Sequence, residues 1–480
     1  MPVLQNNVFF EKTLRVFGSS RMWTLFMLTA FLVVWVVWPL RGTIAARNIA
    51  LVIGAIASIA WIVIERPKLS LYDLVPIIFL LCVPAWMLML YIYHPVVVTL
   101  QWDELRGTWL RVIIGLIFAF GLGKIYLYRP KYRHLFLWIL FIWPVVILFL
   151  FVCQGLFTNS WFGEQVYIYV FKSKVAGVYF LIWSLFFVFA YLHGRLVKQN
   201  SYCEYREISS LLLLGATGSL LLICSINFFL LSSLNAFIVI LIDLLVLAYF
   251  LMKYKPNRVN RYFQFYKVIF ISLAAICLVA AIAYVDARNS NSKLANSMAD
   301  IDFILNHDTT GAWRWDGSDK GIYPPINSLS QRPVSGTTYE RVSWFREGLK
   351  FLKDHPFGLG YTGNAFAYYM RDKYPGSQST KTHSGWLDFG LGAGIMGVLF
   401  IWLAMGVIYT RAYVQTNSSY QYEIMRRYLL WALSTMLLLW LIAELSDREF
   451  IEHFFFMLAF FSSLVGSDAL LVEGKKEHFV

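Results

Sequence analysis

The chain is organised by long uninterrupted apolar runs separated by short polar stretches, with no strict alternation of apolar and polar residues. A helix needs about 20 apolar residues to cross the hydrocarbon layer. The pattern predicts twelve such helices: 23–40, 44–64, 74–93, 109–128, 135–157, 174–193, 208–231, 236–252, 268–285, 386–409, 427–444 and 450–472. A membrane barrel is excluded, because barrel strands alternate over about ten positions. The predicted fold class is therefore an all-α polytopic membrane protein. Its parts are an amphipathic N-terminal segment 1–22, nine helices over 23–285, a polar loop 286–385, three helices over 386–472 and a tail 473–480. The start lacks a small-residue cleavage site and reads as a basic cytoplasmic segment, not a signal peptide.

Composition reinforces the class. Apolar residues make up 59% of the 480 and charged residues only 14%, against roughly 25% charged in ordinary soluble domains. A soluble enzyme, a disulfide scaffold and a disordered chain are all excluded. The net charge of +13 then stands out. Of the 41 Lys and Arg, 16 fall in the five short loops Glu65–Lys68, Tyr128–Arg133, Arg195–Arg206, Lys253–Lys267 and Arg411–Arg427, so the positive-inside bias places both termini in the cytoplasm. Cys82, Cys153, Cys224 and Cys277 lie in spans and Cys203 in an inward loop. The long outward loop has no disulfide, and no metal cluster is visible.

Loop 286–385 is the one segment long and polar enough to be a domain. Thr337 or Thr338 with Glu340 marks a helix start, Trp344, Leu349 and Leu352 recur at helical spacing, and Pro356 ends the helix. A Gly-rich turn follows, then a second short helix around Ala365–Lys373. Both helices are expected at the outer membrane–water boundary, without a large core of their own.

The residues after that carry a motif. His383-Ser384, nine residues, Gly394, two residues and Gly397 resemble the His-[Asn/Ser/Gln]-x9-Gly-x2-[Gly/Thr/Tyr] pattern of bacterial O-antigen ligases. Arg341, Trp344, His355-Pro356 and Gly358-Leu359-Gly360 are similar to the stretch that precedes the pattern in that superfamily. The resemblance implies a GT-C-like glycosyltransferase without cofactor or metal. It would move a polysaccharide from undecaprenyl pyrophosphate to lipid A–core oligosaccharide on the periplasmic face of the inner membrane. Its partners would be these two substrates and membrane lipid, with no nucleic acid.

Elementary chemistry points the same way. Displacing a sugar from a pyrophosphate requires stabilising the leaving charge, for which the planar fork of Arg is suited. It also requires a proton acceptor for the attacking hydroxyl, for which His is suited. His383 is the candidate base; the plainer reading is a loop or cap residue. Arg341 is the candidate pyrophosphate ligand, against ordinary snorkelling at the interface. Arg106 and Arg111, in WDELRGTWLR, and Arg288 are further candidate ligands, or else anchors, the first two beside Trp102 and Trp109. Asp388 either orients His383 or caps the span. Ser384 and Trp344 are supporting residues, and Gly394 and Gly397 read as close-packing positions.

Arg41, Arg47, Lys172 and Lys174 read as interfacial anchors, Asp243 as a structural partner inside a span, and Glu444 with Arg448 as charges at an outward turn. Family members carry an Arg in a Ser-Arg-x-Ala-like element. Here Ser232-Ser233-Leu234-Asn235-Ala236 has Leu in its place, so another outward Arg would have to serve. An O-antigen polymerase is the nearest alternative, but 286–385 contains no Arg-x10-Gly element. A protein O-oligosaccharyltransferase is further off. A secondary transporter would show paired interrupted helices and inverted repeats, and neither is evident.

Overall fold

The computed structural model describes residues 19–40, 42–158, 179–180, 182–183, 186, 249, 299–308, 311–314, 324–414, 420–442 and 447–465. The helices are α1 (Ser20–Val37), α2 (Ile44–Glu65), α3 (Leu71–Tyr93), α4 (Val98–Glu104), α5 (Leu110–Tyr128), α6 (Arg133–Thr158), α7 (Gly336–Asp354), α8 (Ala365–Lys373), α9 (Gly385–Val414), α10 (Tyr420–Ile442) and α11 (Arg448–Val465). A two-residue pair, β1 (Ile326–Asn327) and β2 (Arg332–Pro333), is antiparallel, with Ile326 opposite Pro333.

Five helices among the described residues are long and apolar enough to cross a membrane: Ser20–Val37, Ile44–Glu65, Leu71–Tyr93, Val98–Tyr128 and Gly385–Tyr413. Together they support a multi-pass membrane protein. Of the segments expected at 135–157, 427–444 and 450–472, the described parts (135–157, 427–442 and 450–465) are also helical. Those expected at 174–193, 208–231, 236–252 and 268–285 lie, but for a few residues, outside the described residues.

The helices are built for lipid. On α2 the large branched residues Ile49, Ile56 and Val63 are more than half exposed, while Ala50, Gly54, Ala55 and Ser58 face inward. A soluble helix has the opposite arrangement. The small residues let backbones approach closely, which is how helices associate where lipid removes the hydrophobic drive. A Cβ on Gly54 would lie 2.5 Å from the Phe118 ring, and Ser58 Oγ donates to the Phe118 carbonyl at 3.1 Å. Gly121 and Gly123 of α5 do the same against Ser58 of α2 and Ser463 of α11. Helix α5 is thus central, packed between α2 and α11, while α3 lies against α9 and α11.

Polar contacts define two ends. At one, Asp73 caps α3 in a reciprocal box with Ser70 and pairs at 2.9 Å with fully buried Lys124. Arg129 reaches Glu65 and Ser20 there. At the other end lie the α3–α4 connection, the start of α11 and the loop that carries α7 and α8.

That loop has more core than expected. Phe303, Trp313, Tyr339, Phe351, Phe366, Tyr369 and Met370 are buried together with Leu387 and Leu391 of α9. The loop helices pack on one another and on the span, so they share its core and do not merely rest on the membrane surface. Helix α7 begins one turn's edge earlier than the Thr-Glu signal suggested, after Ser335.

Candidate functional site

The site grows out of an interruption in α9. At Gly394 the backbone leaves the helix (φ 72°, ψ 176°) and resumes at once. The stretch after α7 is seated in the gap. Leu359 N–H donates to the Leu391 carbonyl at 3.0 Å, Gly360 N–H to Gly392 at 2.9 Å, and Ile395 N–H to Pro356 at 2.9 Å. These bonds satisfy backbone groups that the break frees, as groups at membrane depth must be. Such contact tolerates no side chain. A Cβ on Gly358 (φ 83°) would sit 2.3 Å from Gly394 N, and one on Gly394 2.2 Å from the Phe357 carbonyl oxygen. Gly394 is therefore a close-packing position, but against loop backbone and not a neighbouring helix. Gly397 lines the inner side of the break, where a Cβ would come within 2.5 Å of Ala393 Cβ.

His383 lies immediately before α9. Its φ of 63° is left-handed, a conformation uncommon outside glycine. The flanking turn holds it there. Asp388 Oδ1 accepts from Thr382 N–H at 2.9 Å and from the Thr382 hydroxyl at 2.8 Å, while Asp388 N–H donates to the Ser384 carbonyl. The carboxylate in the first turn also suits the positive end of the helix. Asp388 thus fastens the residue before His383 from the first turn of the span. Ser384 is buried, and its Oγ has no hydrogen-bond partner among the described residues.

The imidazole, half-buried, stacks on Trp344 of α7 with ring centroids 5.3 Å apart and planes within 12°. Gly348, one turn further along α7, lets the helix come close to the Thr382 methyl and Leu387. Arg341 stands one turn before Trp344 on the same face of α7. It is exposed and has no ion pair or hydrogen bond among the described residues. The structure therefore brings together His383, Trp344, Asp388 and Ser384, and puts Arg341 on the helix that supports the imidazole.

The other candidate arginines differ. Arg106 is exposed and pairs with Asp103 at 2.5 Å. Arg111 is not a simple anchor beside Trp102 and Trp109: its Nε pairs at 2.7 Å with Glu452, which is itself buried, and Trp109 is packed against Phe389 and Phe455. Arg47 reaches the same carboxylate at 3.4 Å and is buried, which corrects its reading as an interfacial anchor. Arg288 and the Ser232–Ala236 element lie outside the described residues.

Two carboxylates of structural weight were not singled out from the sequence. Glu104, at the end of α4, is buried and accepts from Thr362 N–H at 2.8 Å, from the Thr362 hydroxyl and from Gly363 N–H at 3.3 Å. The only hint in the sequence is an acid where the chain re-enters the membrane. Glu347 of α7 ties α8 down, accepting from Lys373 at 2.8 Å, Lys350 at 3.1 Å and the Tyr374 hydroxyl at 3.1 Å. Burial pushes the Glu347 carboxyl up, but hydrogen bonds from Lys373 and Lys350 more than offset this and hold it below its ordinary value. A depressed carboxyl stabilises the fold above the ordinary carboxylate pKa and loses that contribution as pH falls through the folded value. Glu347→Gln is therefore expected to cost about 1–3 kcal/mol near neutrality. The gap in Tm from wild type should close on acidification below pH of about 4; a gap independent of pH would contradict this.

The arrangement offers an imidazole stacked on a helix that carries an unpaired guanidinium one turn away, held by a loop keyed into a broken helix. No curated protein matches the chain. Residues 219–403, which include the loop helices, the His383 turn and the break at Gly394, match the family model described as O-antigen ligase, and this match supports an O-antigen ligase-type family for the chain.

Proposed function

We propose that the chain transfers a polysaccharide from undecaprenyl pyrophosphate to a sugar hydroxyl of lipid A–core oligosaccharide, at the periplasmic face of the bacterial inner membrane. The observation that carries this reading is the left-handed His383 turn, with its ring clamped on Trp344 and the unpaired Arg341 one turn along the same helix. In this reading His383 takes the proton of the acceptor hydroxyl as its oxygen bonds to the anomeric carbon. The bond from that carbon to the pyrophosphate oxygen breaks, and undecaprenyl pyrophosphate leaves with the electron pair. Arg341 neutralises the charge that builds on the leaving oxygens, with Arg106, Arg111 and Arg288 as the further outward cations of the clamp. Holding base and donor in one geometry supplies much of the rate, because orientation converts an encounter into an intramolecular step.

Arg341→Ala is expected to fold like wild type, since the side chain is exposed and unpaired. It should weaken binding of the lipid pyrophosphate roughly 10- to 100-fold, the loss of about 1.5–3 kcal/mol from a charge-assisted hydrogen bond. Unchanged affinity in a binding assay would reduce Arg341 to an anchor. The reading against a polymerase is tested by competition: lipid-linked glycan is supplied with lipid A–core and with excess lipid-linked glycan. Glycan joined to lipid A–core is expected; lengthened lipid-linked glycan would assign a polymerase.

A further inference from the structure

We propose that Glu104 is a positioning residue for transfer at the His383 turn, an inference that rests on the function proposed above. Glu104 touches no reacting group in that reading. What it holds is the turn Gly358–Gly363, the segment seated in the α9 break. One side of the turn is bonded to the break through Leu359 and Gly360, and Pro356 just before it accepts from Ile395 N–H. The other side is bonded to α4, by Glu104 at Thr362 and Gly363, and by Gln101, whose Nε2 donates to the Leu359 carbonyl at 2.9 Å. The turn is thus a wedge between the helix that leads to Arg106 and Arg111 and the half-helix that follows the His383 turn.

A buried carboxylate is costly unless its oxygens are satisfied. Here both oxygens are spent on this turn. The continuous rod from α4 into α5 also changes to a wider π-turn at Leu105–Trp109, directly after Glu104, a local distortion that often accompanies functional sites. Freed from Glu104, the wedge loses its outer support. Residues 385–393 of α9 then lose the backstop that fixes His383 relative to the arginine-bearing segment. A displacement of about 1 Å at a reacting group costs on the order of 100-fold in rate.

The test uses the full-length protein purified in detergent, with rates normalised to folded protein and measured with lipid-linked glycan and lipid A–core. Glu104→Ala is expected to lower kcat at least about 10-fold while donor KM stays within about twofold. Glu104→Gln should recover most of kcat. Its amide oxygen can accept from Thr362 and Gly363 N–H, and its NH2 can donate to the Thr362 hydroxyl, which rotates to accept. A Gln variant as inactive as Ala would mean that Glu104 acts as an acid or base, and would overturn positioning. Thr362→Val removes one donor with little change of volume. It should show a smaller kcat loss, and Glu104→Ala/Thr362→Val should be no worse than Glu104→Ala alone. If Glu104→Ala does not fold, Thr362→Val decides, and wild-type kcat for it overturns the proposal. His383→Asn in the same assay separates the two levels of inference. An active His383→Asn enzyme defeats the functional reading, whereas an inactive one beside a fully active Glu104→Ala enzyme defeats only the role of Glu104.

Discussion

Gly358→Ala destabilises the protein by at least about 4 kcal/mol on this account, a large share of the 5–15 kcal/mol that separates typical folded and unfolded states. Three effects add. The residue sits at φ 83°, where an L side chain costs about 1–2 kcal/mol. The new Cβ would lie 2.3 Å from Gly394 N and 2.6 Å from the Gly392 carbonyl oxygen. Both are backbone atoms with no rotamer to move, so the loop must back out of the break. Doing so strands the buried backbone groups of Leu391, Gly392 and Ile395, each at about 1–3 kcal/mol. Gly406→Ala on α9 is the control, because a Cβ there meets nothing within 4 Å and Ala is the better helix former. Thermal unfolding followed by tryptophan fluorescence checks both, since Trp86 Nε1 donates to the Ala393 carbonyl at the break itself. A Gly358→Ala protein with the Tm of wild type would mean that the loop is not keyed into α9 as described.

Much of the scaffold was legible because it is written in local chemistry. Apolar runs announced α1, α2, α3 and α9, and Pro356 and the Gly-rich turn bounded α7 and α8 within a few residues. The motif drew attention to His383, Trp344 and Gly394 together. The break was not legible. A glycine in a membrane helix reads as a packing position, and only the loop that docks there shows that Gly394 interrupts the helix. The partners of two arginines were hidden for the same kind of reason. Arg111 and Arg47 look like boundary residues until Glu452, hundreds of positions away, is found between them. Glu104 stands among half-buried Asp103 and exposed Arg106, and nothing local says that it turns inward. Periodicity and caps report on a segment; long-range pairing does not.

His383→Ala should leave the chain folded and inserted and reduce glycan transfer about 100- to 10,000-fold, the range over which a positioned acid or base contributes. The stability cost is small. The ring is half-exposed, its stacking on Trp344 is worth about 0.5–1.5 kcal/mol, and Asp388 holds the turn through the backbone N–H and hydroxyl of Thr382. Since Ala also fits the left-handed turn poorly, His383→Asn is the companion variant, because Asn tolerates that conformation and cannot take up the proton. The most direct measurement is a single turnover with labelled lipid-linked glycan bound to excess wild-type, His383→Ala or His383→Asn enzyme, started by adding lipid A–core. The account predicts that wild type moves the label to lipid A–core and releases undecaprenyl pyrophosphate, while both variants bind the donor normally and leave it uncleaved. Transfer by either variant at near the wild-type rate would contradict it.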